Sequence, residues 1–182
     1  MLIKIITSND YNFMQRIGKL RADVWNEEGV SLPNICKNNM LLDELDHDEA
    51  KHFVVFKDDE LIAAARLTLH HSLTEMPSAE DFAPYDLALE LPYGYLSRLV
   101  VKKSFRNQGL ARKLDCMCLH EAKKLGAKAV ILTTVPYRLK ALSKIGFSYF
   151  GLSGLLPEQM SDLQIETHIM AHYLEQLPPI DT

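Results

Sequence analysis

The sequence predicts an α/β (α+β) fold with a mixed central sheet flanked by helices, and three observations carry that reading. Tyr95 to Val101, Gln108 to Leu125 and Ala127 to Thr134 run strand, helix, strand, an order that requires a parallel crossover. His52 to Phe56 and Leu61 to Leu69 flank Lys57-Asp58-Asp59-Glu60, whose Asp residues favour a turn, so this pair predicts an antiparallel hairpin. Phe147 to Leu152 and Gln164 to Leu174 add two further strands joined by a Pro-containing loop.

The remaining elements follow from local pattern. Met1 to Thr7 is rich in Ile and reads as a short strand, after which Ser8 or Asn9 can cap a helix by accepting a backbone N–H bond. In that helix Phe13, Ile17, Leu20 and Val24 recur at spacings of four, three and four, which makes one apolar stripe. Gly29 helps to end it. Val30 to Met40 carries Pro33 and several Asn without a sustained period and reads as loop or broken helix. In the second hairpin strand Leu61, Ala63, Ala65, Leu67 and Leu69 share one face and Arg66, Thr68 and His70 the other, leaving Arg66 a charge between apolar neighbours. His71 to Glu90 holds Pro77 and Pro84, with a short helix or turn around Ala79 to Phe82. In the helix from Gln108, the period turns Leu110, Leu114, Met117, Cys118, Ala122 and Leu125 inward and Arg112, Lys113, Asp115, Lys123 and Lys124 outward. Gly126 stops this helix, and the continuous apolar run to Thr134 suits a strand covered on both faces. Pro136 then opens a short helix that ends at Gly146.

The 182 residues, 47% hydrophobic and 24% charged, suit one globular domain over residues 1–182. A net charge of −4 argues against a surface built to neutralise nucleic-acid phosphates. Three cysteines, Cys36, Cys116 and Cys118, are an odd count that makes a poor disulfide framework and points to a reducing, cytoplasmic setting. The N-terminus lacks a signal-peptide pattern, and no stretch approaches the roughly 20 apolar residues that span a bilayer. No metal site is expected, because His70 and His71 point to opposite faces of a strand and His168 with His172 lacks a third ligand at recognisable spacing. The acidic run Asp43 to Glu49 could attract a cationic amine but reads as a solvated turn.

The most informative stretch is Leu99-Val-Val-Lys-Lys-Ser-Phe-Arg-Asn-Gln-Gly-Leu-Ala-Arg112, where a strand ends, a short turn follows and a helix begins. A helix N-terminus offers unpaired N–H groups and a positive dipole end, while Gly109 and Ala111 leave room for a pyrophosphate to approach. Arg106 and Arg112 add charge that matches phosphate oxygens through paired hydrogen bonds. Neither a Gly-Lys-Ser/Thr phosphate loop nor a Gly-x-Gly-x-x-Gly motif is present, which argues against nucleoside triphosphates and dinucleotides.

With Ser97-Arg-Leu-Val-Val101, Arg106-Asn-Gln-Gly-Leu-Ala111 and Ala141-Leu-Ser-Lys-Ile-Gly-Phe147, the sequence resembles the GNAT superfamily of acyl-CoA N-acyltransferases. The resemblance is specific over Tyr95 to Gly151 and looser at Leu20-Arg-Ala-Asp-Val24, Ala65-Arg-Leu67 and His168-Ile-Met170. It implies a GNAT-like mixed sheet whose parallel strands, Tyr95 to Val101 and Ala127 to Thr134, splay apart to admit acyl-CoA. It also implies that Leu99, Val100 and Val101 offer backbone groups to the pantetheine arm and the thioester carbonyl. The turn of Arg106, Asn107, Gln108, Gly109, Leu110, Ala111 and Arg112 would hold the pyrophosphate, and Tyr137 would wall the cofactor. Acetyl-CoA or another acyl-CoA is the implied co-substrate, an amine of a small molecule or exposed residue the implied acceptor, and a homodimer is compatible with it.

Leu142 stands where many members carry a Tyr that protonates the departing thiolate. A CoA thiol, with a pKa near about 8.5 by analogy with Cys, leaves tolerably without one. An amine arrives mostly as ammonium, so a base must take its proton. The candidates are His168 on the terminal strand, with Ser97 and Glu90 as alternatives. Two other readings accompany the N-acetyltransferase. Ser97-Arg-Leu-Val-Val101 and Leu20-Arg21 also suggest an autoinducer-synthase-like enzyme with a longer acyl donor on a carrier protein, and the absent Tyr suggests a catalytically idle CoA-binding module.

Overall fold

The computed structural model describes residues 1–30, 36–47, 49–75, 79–87, 89–155 and 165–180. The joining loop expected between Leu152 and Gln164 lies largely outside them. Strand β1 (Leu2–Thr7) leads into helix α1 (Tyr11–Glu27), then the short strands β2 (Cys36–Lys37) and β3 (Met40–Leu41) and the hairpin β4 (Lys51–Lys57) and β5 (Glu60–His70). A one-turn helix α2 (Ala79–Phe82) precedes β6 (Tyr93–Val101), α3 (Leu110–Lys124), β7 (Ala129–Thr134), α4 (Pro136–Ser143), β8 (Ser148–Leu155) and β9 (Glu166–Tyr173). Seven strands form one mixed sheet in the order β1-β4-β5-β6-β7-β9-β8. Among the described strands only β6 and β7 pair in parallel, as the crossover through α3 requires.

Each face of the sheet is covered by a different helix. On one side α3 sets Leu114, Cys118, Leu119 and Ala122 against Ala63, Ala65 and Leu67 of β5, Leu96 of β6 and Val130 of β7. On the other, Ile17, Leu20 and Val24 of α1 meet Val54, Ala64 and Val100, and Phe82 of α2 meets Tyr93, Ile131 and Ile169. The alternation along β5 thus separates the two cores as its period of two requires.

Local details depart from the sequence reading in four places. Asp10, rather than Ser8 or Asn9, caps α1, its carboxylate accepting from the Phe13 amide at 3.2 Å. Within Val30 to Met40 the described part is no broken helix but one strand of a small hairpin, turned by Asn38 and Asn39 at φ +55° and +58°, the left-handed pair that a two-residue turn uses. Leu125 is 37% exposed because α3 ends one residue before it. Asp115, expected outside, is buried: it shares the inward stripe with Leu119 and Ala122 at helical spacings of four and three, and Arg138 compensates its charge.

Candidate active site

The site begins where the parallel pair stops pairing. Gly94 faces Val130 and Tyr95 faces Ile131, but no register pair joins the two strands beyond that point. Gly94 makes the close approach: a Cβ there would come within 3.0 Å of Leu67 and 3.1 Å of Val130. Past it, β7 continues to pair with β9 as far as Thr134, so β6 and β7 diverge toward their C-terminal ends. A bulge on β6 sharpens the divergence. The β5 register jumps between Ala64 and Arg66 while Arg98 adopts φ +54°, leaving Leu99 outside the ladder on either side.

Below the splay the chain turns into α3. Arg106 anchors this turn from within, donating to the Val101 carbonyl at 3.1 Å and pairing with Glu28 at the end of α1 at 2.5 Å. Its guanidinium is therefore engaged with protein rather than held in reserve for a phosphate. Asn107 and Gly109 both have positive φ, and Gly109 caps α3 at φ +76° with no side-chain cap on the helix amides. A Cβ on Gly109 would meet nothing within 4 Å, so the glycine is needed for its backbone conformation while the space beside it stays open.

Splay and turn enclose one cavity of about 370 Å³. Leu99, Val100 and Val101 line it from β6, Arg106, Asn107, Gly109, Leu110, Ala111 and Arg112 from the turn, and Tyr137 from α4. Of the predicted cofactor residues only Gln108 does not line it, its side chain being exposed. Sequence reasoning missed Val24 and Trp25 of α1, Glu28 just after it, Phe105 ahead of the turn, and Asp115, Arg138 and Ala141 from the two helices. On α4 the cavity face carries Tyr137, Arg138 and Ala141, whereas Leu142 is fully buried in the α3-side core. Tyr137 is 78% exposed and stands at the rim.

Two members of the acidic run, Asp43 and Asp46, are ion-paired and sheltered, whereas Glu44 and Glu49 are exposed as a solvated turn would have them. Asp43 and Asp46 sit among three arginines that come from α1, β5 and β6. Arg21 donates to Asp46 at 2.9 Å, Arg66 reaches Asp43 at 2.5 Å and Asp46 at 2.9 Å, and Arg98 reaches Asp43 at 2.6 Å. Burial pushes both carboxyls upward, but Arg98 and Arg66 hold Asp43 well below the usual carboxylate range, and Arg21 and Arg66 lower the pKa of Asp46. His52 completes the cluster, facing Arg21 at 3.3 Å and Ser8 at 3.0 Å, and burial followed by the Arg21 charge lowers its pKa to about 4. Three guanidinium groups against two carboxylates and a neutral imidazole leave one positive charge in surplus. Arg98, the least buried arginine of the set at 23% side-chain exposure, adjoins Leu99 on the cavity wall.

The three proton-acceptor candidates lie apart. Glu90 is exposed ahead of β6, at the end of the strand opposite the cavity. Ser97 accepts the Arg66 Nε–H at 3.1 Å across the ladder. His168 is 7% exposed on β9 opposite Thr134, with Nδ1 3.3 Å from the Tyr149 hydroxyl. Its Nε2 has no hydrogen-bond partner among the described residues.

A sequence model of the acetyltransferase (GNAT) family matches residues 14–147, from α1 through the Gly-Phe that follows α4. The chain belongs to this family. It is an acyl-CoA-dependent N-acyltransferase, and its mixed sheet with one parallel pair flanked by helices is the family's fold. No curated protein matches the sequence. Among solved structures the fold is similar to FeeM, an N-acyl amino acid synthase from uncultured soil microbes, at TM-score 0.66 and 15% identity over 95% of this chain and 90% of that one. It is also similar to BjaI, a CoA-dependent acyl-homoserine lactone synthase solved with SAM and isopentyl-CoA, at TM-score 0.71 and 16% identity over 96% and 84%. An acyl-CoA N-acyltransferase from Pseudomonas aeruginosa aligns at TM-score 0.60 and 17% identity over 94% and 98%. At such identities these likenesses bear on the fold alone.

Proposed function

We propose that this enzyme transfers an acetyl or similar acyl group from CoA to the amine of a small molecule or exposed residue by direct attack, within the cytoplasm. The single observation that carries the reading is the cavity, which joins the unpaired end of β6 to the uncapped start of α3. The amides from Gly109 to Arg112 receive the pyrophosphate, and Gly109 supplies the room. Backbone groups of Leu99 to Val101 align the pantetheine arm and polarise the thioester carbonyl as its oxygen gains charge. The amine nitrogen bonds to the carbonyl carbon, the C–S bond breaks, and CoA leaves as the thiolate. The ammonium proton passes to a base before attack and a proton returns to sulfur from solvent, since Leu142 offers no acid. Of the three candidates, His168 alone is buried with a ring nitrogen that no hydrogen bond holds, Nε2 lying 3.9 Å from the Glu166 carboxylate, which supports it over Ser97 and Glu90. Acetyl-CoA with a panel of amines, amino acids, polyamines and peptides, read by thiol release and product mass, tests the proposal. Thiol release without any acylated product across the panel counts against it, and tight CoA binding without turnover favours an idle module.

A second reading, a longer acyl chain moved onto an acceptor that carries a carboxylate, has one observation in its favour. Arg21 and Arg98, from the two stretches that suggested an autoinducer-synthase-like enzyme, meet in a single charge cluster with one positive charge in surplus. FeeM, an N-acyl amino acid synthase, and BjaI, a CoA-dependent acyl-homoserine lactone synthase, share this fold. Acyl-CoA donors of increasing chain length against amino-acid acceptors decide between the two.

A further inference from the structure

Arg138 and Asp115 form the best-defined buried ion pair outside the acidic cluster. Arg138 stands in the first turn of α4 and Asp115 in the second turn of α3. Both oxygens of Asp115 accept from Nη2 of Arg138, at 2.8 and 2.7 Å. The Asp115 side chain is 5% exposed and that of Arg138 17%, so the carboxylate lies beneath and the guanidinium nearer the surface. Both residues line the cavity that the Gly109 turn opens into. Among the described residues Arg138 makes no other hydrogen bond, so Nη1 and Nε keep their donors.

A pair whose only task is to join two helices gains little from being ionic. Removing two charges from water roughly offsets their attraction, and an apolar pair of the same volume does as well or better. Burial pushes the Asp115 carboxyl upward even with Arg138 beside it, which shows that the site bears this cost. What the ionic pair adds is a guanidinium of fixed orientation on a wall facing open space, with free donors in the fork geometry that suits phosphate oxygens.

We propose that Arg138, oriented by Asp115, is a second anchor for the phosphates of acyl-CoA, set across the cavity from the α3 turn. Arg138 is then a binding residue and Asp115 a positioning residue. The inference rests on the CoA-binding reading above and adds a residue that this reading does not use.

Isothermal titration of CoA into the full chain tests it without knowledge of the acceptor. Arg138→Gln is expected to weaken CoA binding by about 10- to 100-fold, the scale of losing hydrogen bonds from a charged donor. Arg138→Lys, which keeps the charge and the pairing with Asp115, is expected to recover part of that loss. Because Arg138→Gln leaves a buried carboxylate alone, the double variant Asp115→Asn with Arg138→Gln supplies a neutral, hydrogen-bonded pair that spares the fold. Its thermal unfolding is expected to stay near that of the wild type while its CoA affinity remains low. Wild-type affinity in a folded double variant overturns the inference, as does equal weakening by Arg138→Lys and Arg138→Gln. If the wild type itself does not bind CoA, the proposed function fails, and the anchor with it.

Discussion

His52 ties the stability of the acidic cluster to pH. The ring is fully buried, with Nδ1 3.3 Å from the Arg21 guanidinium and Nε2 3.0 Å from the Ser8 hydroxyl. A guanidinium can only donate, so Nδ1 accepts and the proton sits on Nε2, which fixes a neutral imidazole. Burial and then the Arg21 charge lower its pKa from 6.5 to about 4. As pH falls below about 6.5 the unfolded chain takes up this proton while the folded chain does not, so the unfolded state gains and stability declines until the folded ring titrates near 4. At about 1.36 kcal/mol per pH unit of separation, lowering pH from about 7.5 to about 5 removes about 2 kcal/mol. Asp43 and Asp46, held below the usual range, stay ionised through this window and add nothing to the slope. His172, whose pKa burial also lowers, contributes equally to any variant that leaves it intact. Urea unfolding of the wild type and of His52→Gln at both pH values isolates the contribution. The wild type is expected to lose about 2 kcal/mol more than the variant on acidification. Equal losses would refute the assignment of a neutral, desolvated His52.

Four further outcomes are expected. Gly109→Asp places a carboxylate in the open space beside the turn and imposes φ +76° on a residue with a Cβ, so calorimetry should find CoA affinity reduced by at least about tenfold in a folded protein. Unchanged affinity would remove the turn from the cofactor site. Leu142→Tyr puts a larger ring and a hydroxyl into a fully buried position, and thermal or urea melts should record a loss of about 1–3 kcal/mol rather than a gain in rate. Arg66→Met leaves two buried carboxylates short of a partner, a loss of about 3–5 kcal/mol by urea titration. His168→Gln should lower kcat by about 100-fold and leave KM for acyl-CoA nearly unchanged, and a variant that keeps its rate would make His168 a packing residue.

Much of this protein is legible along the chain because its information is local. The strand-helix-strand run, the hairpin at Asp58-Asp59, the Gly126 stop and the Arg106 to Ala111 turn each depend on residues within a few positions of one another, and each is present in the fold. The family motif is readable for the same reason, since the turn and helix start that carry it are made by consecutive residues. What the sequence could not disclose are partnerships across it. Asp43 and Asp46 look like a solvated turn until β5 and β6 bring Arg66 and Arg98 against them, and Asp115 looks exposed until α4 supplies Arg138. Leu142 falls in the family's motif position by counting, yet the packing of α4 turns it into the core and leaves Tyr137, Arg138 and Ala141 on the cavity. Local pattern sets backbone conformation through sterics and hydrogen bonding between near neighbours. Whether a charge is solvated or buried depends on residues more than 20 positions away, and only the closed fold brings those charges together.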